Sequence, residues 1–292
     1  MFLLAGLVFG EEDPRDAERQ FRFLLSRGDE LRAQFDGSNP ESPSAAQLRT
    51  LQRRLENDYK HFLRDHPRHA RAMVAYGTLL DDQGREEEAL GWWKKAIEVD
   101  PREAYAYNSI AGHYGHDGRA AEALKLYDKA IELEPTEPIF RFNWATTCVL
   151  FRTDSQTVYG WTKEEIFQRS LEQFRKARDL VPQNFEFAST YAETFYMMPK
   201  PDWPEAYAAW KHCLNQPFND SQRELVFAHL TRVCIRLGRH DEATEWVGKL
   251  ASERPGSMRP LLERLIAEGR KAAGKSSETN SPTTAARDDG GK

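Results

Sequence analysis

Hydrophobic positions in the first half of the chain recur with a period of 34 residues. The segments IEVDP (97–101) and IELEP (131–135) are nearly identical, and Pro67 precedes the first closing proline by the same interval. Each period holds two amphipathic stretches that join at a Gly-Arg pair (84–85 or 118–119), and the proline ends the second stretch. The pattern therefore predicts two consecutive helix-turn-helix units.

Large and small residues keep their places in the two units. Large apolar residues are expected to fill the space between the helices, and small residues, as in the pairs Gly77/Ala89 and Ala111/Ala123, let the two helices of a unit approach closely. A single unit cannot bury its own apolar stripe, so successive units must stack. The matched large or closing positions are Met73/Tyr107, Tyr76/Ile110, Leu80/Tyr114, Trp93/Tyr127 and Pro101/Pro135.

This pattern resembles the tetratricopeptide repeat (TPR), a 34-residue helix-turn-helix unit. The resemblance covers roughly residues 45–268. It implies an all-α fold, a right-handed superhelical solenoid of stacked antiparallel helix pairs with about five repeats plus capping helices. The turn glycines are expected to take up left-handed backbone conformations.

The later repeats follow the phase with additions. A third unit places Trp144 in its first helix and Phe174 in its second, with an insertion near 152–162 between them. Thr162 and Glu165 have capping-box spacing, which predicts the start of the second helix there. A fourth unit runs from about 185 to 217, and a fifth is predicted to open at a second capping box formed by Ser221 and Glu224 and to end at Pro255.

The same reasoning divides the chain into segments. Residues 11–66 are predicted to hold capping helices with a half repeat, and 67–255 the TPR array. A C-terminal capping helix is predicted over 256–272, and the apolar-poor tail 273–292 is predicted to be disordered.

The first ten residues, MFLLAGLVFG, form an apolar run followed at once by acidic residues. We interpret residues 1–10 as a possible truncated signal peptide, because the run resembles the apolar region and cleavage site of a secretory signal. A periplasmic or secreted location is then favoured. The alternative is an apolar segment that packs on the first helix of a cytoplasmic protein.

Composition and net charge argue against some classes of function. The 292 residues carry a net charge of -5, which argues against a nucleic-acid binder because such proteins neutralise phosphates with Lys and Arg. The sequence contains no stretch of 18 apolar residues, so no membrane span is predicted. Cys148, Cys213 and Cys234 are far apart and lie at apolar repeat positions, so we expect them in the core.

Candidate chemistry is sparse. His113, His116 and Asp117 have helical spacing, but zinc needs three or four ligands and no further pair is visible, so no metal site is expected. No nucleophile, P-loop or zinc-protease motif occurs. The sequence therefore predicts a protein that is not an enzyme and needs no cofactor.

The aromatic residues separate into two groups by phase. One group lies at packing positions and is expected in the core: Trp93, Tyr107, Tyr114, Tyr127, Trp144, Tyr191 and Trp210. Tyr105, Phe142 and Tyr196 instead fall at first-helix positions that, by the resemblance, line the concave groove. The candidate ligand-binding residues are Tyr105, Asn108, Phe142, Asn143, Thr146, Glu193, Tyr196, Arg232 and Arg236. The segment VYGW (158–161) of the insertion is a further candidate. It either reaches over the groove or tucks Tyr159 and Trp161 against the helix that follows it, and we expect tucking because an apolar pair before a capping box often packs in this way.

These observations favour a non-enzymatic scaffold that binds a peptide or protein segment in the concave groove of a TPR solenoid. One alternative is a helical-repeat RNA-binding protein, against which the net charge counts. A second alternative is a regulatory subunit of an enzyme. The groove positions could equally be ordinary solvated helix faces, because runs of charge usually are.

Overall fold

The computed structural model of the protein describes residues 14–34, 44–251 and 257–279. The chain forms two compact units, Met1–Gly160 and Trp161–Lys292. Over the described ranges the secondary structure is helical and contains no strand, which confirms the predicted all-α class. The apolar residues 1–10, the predicted repeat end at Pro255 and the tail 280–292 lie outside the described residues.

The first unit contains eight helices among its described residues. They are α1 (Pro14–Ala33), α2 (Ala45–Asp65), α3 (Ala70–Asp81), α4 (Glu86–Val99), α5 (Ala104–His116), α6 (Ala120–Leu133), α7 (Pro138–Leu150) and α8 (Arg152–Tyr159). Each helix packs against the next, and α1, α3, α5 and α7 also contact one another in series. The first helices of successive hairpins therefore share one side of this unit.

The hairpin of α3 and α4 shows why the repeat needs a small residue. A Cβ atom built on Gly77 would lie 2.5 Å from Nε1 of Trp93 and 3.1 Å from the carbonyl oxygen of Ala89. The Trp93 indole is 2% exposed and donates a hydrogen bond of 3.2 Å to the carbonyl oxygen of Val74. The close approach that the repeat pattern predicts is therefore present.

The turns within the hairpins use left-handed glycines, as predicted. Gly84 has φ 73° and Gly118 has φ 74°. The backbone amide that follows each glycine bonds back to the preceding helix, from Arg85 to Leu80 and from Arg119 to Tyr114. A glycine is favoured at these points because a side chain would be strained at that φ.

The N-terminal segment is a full hairpin in this unit. Helix α1 packs on both α2 and α3, so it occupies the place of a repeat's first helix. Phe21, Leu55 and Tyr59 are at most 2% exposed and join the core that continues into α3 and α4. The two predicted N-terminal helices thus extend the stack.

The insertion folds into the short helix α8, which Gly160 ends at φ 70°. The Tyr159 hydroxyl donates to Oδ2 of Asp128 at 2.7 Å and lies 3.0 Å from Nε1 of Trp144. The expectation that Tyr159 packs on the helix after the insertion is therefore wrong, because its hydroxyl is bonded to α6 and α7. Trp161 does contact the following helix, where the Arg169 guanidinium lies 4.4 Å from its ring centroid.

The second unit contains six helices and one short 3-10 turn among its described residues. They are α9 (Lys163–Leu180), α10 (Phe185–Thr194), the turn Phe195–Met197, α11 (Trp203–Cys213), α12 (Asp220–Arg236), α13 (His240–Val247) and α14 (Arg259–Thr279). Consecutive helices pack in order, and α14 covers both α12 and α13. The described helix α14 continues to Thr279, beyond residue 272 where the sequence pattern places its end.

The first residues of α9 and α12 show whether the two predicted capping boxes form. Thr162 and Glu165 form the predicted reciprocal box at the start of α9. At α12 the box is formed by Asn219 and Gln222, so the prediction of Ser221 and Glu224 is wrong by two residues. Two overlapping sequences with acceptable box spacing compete at this point, and spacing alone does not choose between them. The Glu224 carboxylate instead accepts from the Ala251 amide at 3.1 Å.

Most of the aromatic residues assigned to the core are buried. Trp93, Tyr127, Trp144, Tyr191 and Trp210 are each at most 5% exposed. Tyr107 and Tyr114 are only partly buried, which corrects their assignment to the core. The Tyr107 hydroxyl donates to the Pro101 carbonyl at 3.2 Å, and the Arg119 guanidinium covers Tyr114 at 3.7 Å from its ring centroid.

The three cysteines are free and buried. Burial raises the pKa of each thiol to about 12, so the thiols stay protonated at neutral pH. In the part of the chain that the structure describes, no helix combines the length and apolar character needed to span a bilayer.

We expect Gly77→Ala to lower the free energy of unfolding by about 1–3 kcal/mol, because the added methyl group would overlap Trp93 and the α4 backbone. Gly91→Ala is the matched control: Gly91 is an exposed residue of α4 with no atom within 4 Å of its Cβ position. That control should stabilise by roughly 0.5–1 kcal/mol. Urea titration followed by tryptophan fluorescence measures both, and equal stability of the two variants would contradict the packing described here.

Candidate functional site

The candidate ligand-binding residues divide between the two units. Tyr105, Asn108, Phe142, Asn143 and Thr146 lie on α5 and α7 of the first unit. Glu193, Tyr196, Arg232 and Arg236 lie in the second unit, on α10, the 3-10 turn and α12.

In the first unit the two aromatic candidates are engaged within the fold. The Tyr105 hydroxyl donates to the Glu137 carboxylate, and its ring meets Phe140 edge-on with centroids 5.0 Å apart. Burial and the neighbouring Glu137 carboxylate raise the pKa of Tyr105. Phe142 is 9% exposed, so most of its ring is part of the core. Sequence phase places these residues on the correct helix but does not show how much of each side chain neighbouring helices cover.

The polar candidates of the first unit lie closer to open space. The Asn143 side-chain amide donates to Oδ1 of Asn108 at 3.0 Å, linking α7 to α5. Both residues line a cavity of about 410 Å³ that also borders the ends of α3 and α5. Thr146, one turn along α7, has a buried hydroxyl with no hydrogen-bond partner among the described residues.

Glu86 and His113, which line the same cavity, form a group with Asp117 that spacing along α5 alone did not indicate. Glu86, at the start of α4, brings a carboxylate to His113 and Asp117 at the end of α5. One ligand atom from each of the three residues lies within 4.8 Å of the others. The spacing of His113 and Asp117 is visible in the sequence, but Glu86 joins them only through the packing of α4 on α5.

In the second unit, Tyr196, Arg232 and Arg236 line one cavity of about 520 Å³. Ile235 and Leu265, both partly exposed, supply its apolar surface. Arg232 and Arg236 are four residues apart on α12, so their side chains share one helix face. The cavity therefore combines two positive charges, an aromatic ring and aliphatic surface.

The two arginines have no carboxylate partner within ion-pair distance among the described residues. An Arg232 nitrogen lies 3.9 Å from Sδ of Met258, and the Arg236 guanidinium lies 5.8 Å from the centroid of the Trp203 ring. Glu193, the acidic candidate on α10, is exposed, and partial desolvation of its carboxyl raises its pKa. The residues that line the cavity thus include two positive charges and no carboxylate.

Tyr196 is held in place by contact with His229, which in turn stacks on Trp210. Its hydroxyl lies 3.0 Å from Nδ1 of His229, and the His229 ring stacks on Trp210 with centroids 4.2 Å apart and an interplanar angle of 4°. Burial, with a contribution from the Arg232 charge, lowers the pKa of His229 to about 4. Neutral His229 can therefore support Tyr196 at physiological pH without adding charge to the cavity.

Comparisons with known proteins agree with this architecture. A family model described as a tetratricopeptide repeat matches residues 56–98 and 93–138. Residues 56–138 of the chain therefore form tetratricopeptide repeats. The matched ranges contain the two units in which the 34-residue period is clearest. No curated protein matches the sequence.

Solved TPR structures extend the fold similarity over most of the chain. PilF of Pseudomonas aeruginosa matches with a TM-score of 0.61 and 16% identity, covering 88% of this chain and 100% of PilF. PilW, described as a type IV pilus biogenesis factor, has a TM-score of 0.58 and 13% identity, covering 87% of this chain and all of PilW (100%). YrrB, described as a TPR protein with an unusual peptide-binding site, has a TM-score of 0.52 and 16% identity, covering 73% and 97% of the two chains. These similarities establish the TPR solenoid fold, and TPR proteins are typically interaction scaffolds.

The support of Tyr196 by neutral His229 gives a prediction about pH. The unfolded side chain takes up a proton below about pH 6.5, whereas the folded one does so only near its pKa of about 4. Stability should therefore fall as pH decreases between these values, because only the unfolded state gains a proton. His229→Phe keeps a ring on Trp210 but has no group that titrates. Between pH 7 and pH 5 we expect its free energy of unfolding to fall by about 1–3 kcal/mol less than that of the unsubstituted protein.

Urea titrations at the two pH values measure this difference. His61→Gln, a change at an exposed histidine, serves as the control and should follow the unsubstituted protein. If the stability of His229→Phe falls as much as that of the control, His229 is not buried in its neutral form.

Proposed function

We propose that this TPR protein is a non-enzymatic scaffold that binds a protein segment, and that the cavity of Tyr196, Arg232 and Arg236 is its principal contact site. The observation that carries the proposal is the pair of arginines on one face of α12, without a carboxylate partner within ion-pair distance among the described residues, beside a partly exposed aromatic ring and partly exposed aliphatic surface. Arginine and aromatic side chains are the residue types most enriched where proteins bind one another.

The chemistry of this cavity indicates the kind of segment it accepts. Two guanidinium groups on neighbouring turns repel each other, and an incoming carboxylate removes that cost while accepting charge-assisted hydrogen bonds. Ile235, Leu265 and the Tyr196 ring offer apolar contact next to the charges. A segment with an acidic residue close to an apolar one fits both features.

The first unit contributes a second, more polar surface to the proposal. Asn108 and Asn143 border an open cavity, whereas the Thr146 hydroxyl is buried. The two asparagine side chains can bond to the backbone or side chains of an extended segment. Tyr105 and Phe142 contribute less contact area, because their side chains are used within the fold.

The similarity to YrrB supports the proposal, since that structure is described as having a peptide-binding site. PilF and PilW share the TPR fold over the full lengths of their own chains. If export of this chain is confirmed, a role in an envelope-associated assembly becomes the natural setting for the scaffold.

RNA binding is the alternative that the arginine pair itself raises, because guanidinium groups also bind phosphates. The overall charge of -5 disfavours a long basic track along the surface. A regulatory role toward an enzyme is compatible with the same cavity and differs only in the identity of the partner.

The proposal predicts a composition for ligands selected from a random peptide library displayed on phage. Peptides that combine Asp or Glu with an apolar side chain should be enriched on the unsubstituted protein, and Arg232→Ala/Arg236→Ala should weaken their binding by about 10-fold or more, the usual cost of losing charged pairs at a contact. Fluorescence anisotropy with a selected peptide measures the affinities.

The control is Arg175→Ala/Arg264→Ala, which removes the same charge from exposed positions outside the cavity. Equal weakening in the control would show that only net charge matters. If peptides bind the Arg232→Ala/Arg236→Ala protein as tightly as the unsubstituted one, the cavity is not the contact site, and salt-sensitive binding of single-stranded RNA in its place would favour the alternative.

Export is a separate prediction that concerns residues 1–10. If these residues are a signal, the mature protein should begin within or after them and be recovered outside the cytoplasm. N-terminal peptide mass spectrometry of the protein from its native cells makes the measurement. An intact Met1 in the cytosolic fraction would contradict export.

A further inference from the structure

Glu86 and His113 line the cavity of the first unit, and together with Asp117 they form a donor set that the scaffold function does not use. His113 lies on α5, Asp117 directly follows that helix, and Glu86 begins α4. An imidazole nitrogen and two carboxylate oxygens from these residues are mutually within 4.8 Å. The three residues come from two neighbouring hairpins, so only the folded first unit brings them together.

We propose that Glu86, His113 and Asp117 form a binding site for one divalent transition-metal ion, of which Zn²⁺ is a suitable probe. One imidazole with two carboxylates is a donor set that first-row metals such as Zn²⁺ accept. Metal-ligand bonds of about 2.0–2.2 Å place neighbouring ligand atoms roughly 3–3.5 Å apart. A rotation of the exposed Glu86 side chain closes the remaining gap.

His113 is already fixed in a position to act as the central ligand. Its side chain is 5% exposed, with Nε2 3.3 Å from Oδ2 of Asp117. The ring packs edge-on against Trp93 and lies beside Tyr114, with centroid distances of 6.5 and 6.0 Å. A ligand held in this way loses little freedom when an ion binds, which favours binding.

The charges around the site also call for a cation. Neither Asp81 nor Glu86 has a Lys or Arg partner within ion-pair distance among the described residues, whereas the adjacent Asp82 pairs with Arg32 at 3.5 Å. Besides His113, the titratable residues that line the cavity are two carboxylates, Asp81 and Glu86, and the imidazole of His116.

The site has room for further ligands. The cavity of about 410 Å³ is lined by Asp81 and His116 as well as by Glu86 and His113. Three protein ligands leave at least one position of a zinc ion open, and water, Asp81 or His116 can fill it. An ion at this position would connect the start of α4 to the end of α5, and so join two successive repeats.

The test is titration of the purified, tag-free and chelator-treated full chain with ZnCl₂ by isothermal calorimetry. One ion should bind per chain in the tight phase, and saturating Zn²⁺ should raise the melting temperature by roughly 2–4 °C, because an ion that binds only the folded state stabilises it. Glu86→Gln and His113→Gln should each weaken the tight phase at least 10-fold.

Two controls make the result specific. Glu87→Gln changes a carboxylate next to Glu86 that lies outside the donor set, and His61→Gln changes an exposed histidine on α2. Both should bind Zn²⁺ as the unsubstituted protein does. Glu86→Gln changes an exposed side chain, so it tests the site even if His113→Gln disturbs the core.

The proposal is overturned if no tight phase is seen. It is also overturned if the tight phase survives Glu86→Gln unchanged, or if it disappears in His61→Gln, since Zn²⁺ would then be bound elsewhere. The peptide-binding experiment at Arg232 and Arg236 is independent of Zn²⁺, so failure of one proposal leaves the other standing.

Discussion

The burial of large side chains against small ones between neighbouring helices is the constraint on which the rest of this structure depends. Each helical hairpin has an apolar stripe that it cannot cover alone, so it must pack on the next hairpin. Gly77 gives the Trp93 indole room to lie across α3, and Ala89 and Ala111, both fully buried, keep the helix pairs close. Because these positions are fixed by packing, function is left to the side chains on the remaining faces.

The repeat period allowed much of the fold to be predicted. Turn glycines, closing prolines and close-packed small residues act locally, so Gly84 and Gly118 adopt the left-handed conformation expected of them. The sequence-based predictions were wrong where two capping boxes with acceptable spacing compete, and where contacts with helices distant in sequence determine the position of a side chain. The α12 cap uses Asn219 rather than Ser221, and Tyr159 bonds to Asp128 of α6, a partner 31 residues earlier in the chain.

The candidate site was predictable as a set of helix faces but not as a set of accessible groups. Phase placed Tyr105 and Phe142 on the expected helices, yet tertiary packing covers Phe142 and gives the Tyr105 hydroxyl an internal acceptor. Arg232 and Arg236 could be identified because two charges four residues apart share a face whatever surrounds them. The proximity of Glu86 to His113 could not be predicted from the sequence, because it depends on how one hairpin packs on the next.

Native-state hydrogen exchange tests the central claim, that neighbouring hairpins stabilise one another, most directly. We expect the slowest amides of α3, α4, α5 and α6 to exchange through one shared opening, with the same free energy and the same dependence on denaturant. If the amides of α3 and α4 instead exchange through a separate opening of much lower free energy than those of α5 and α6, the two hairpins are independent and do not stabilise one another.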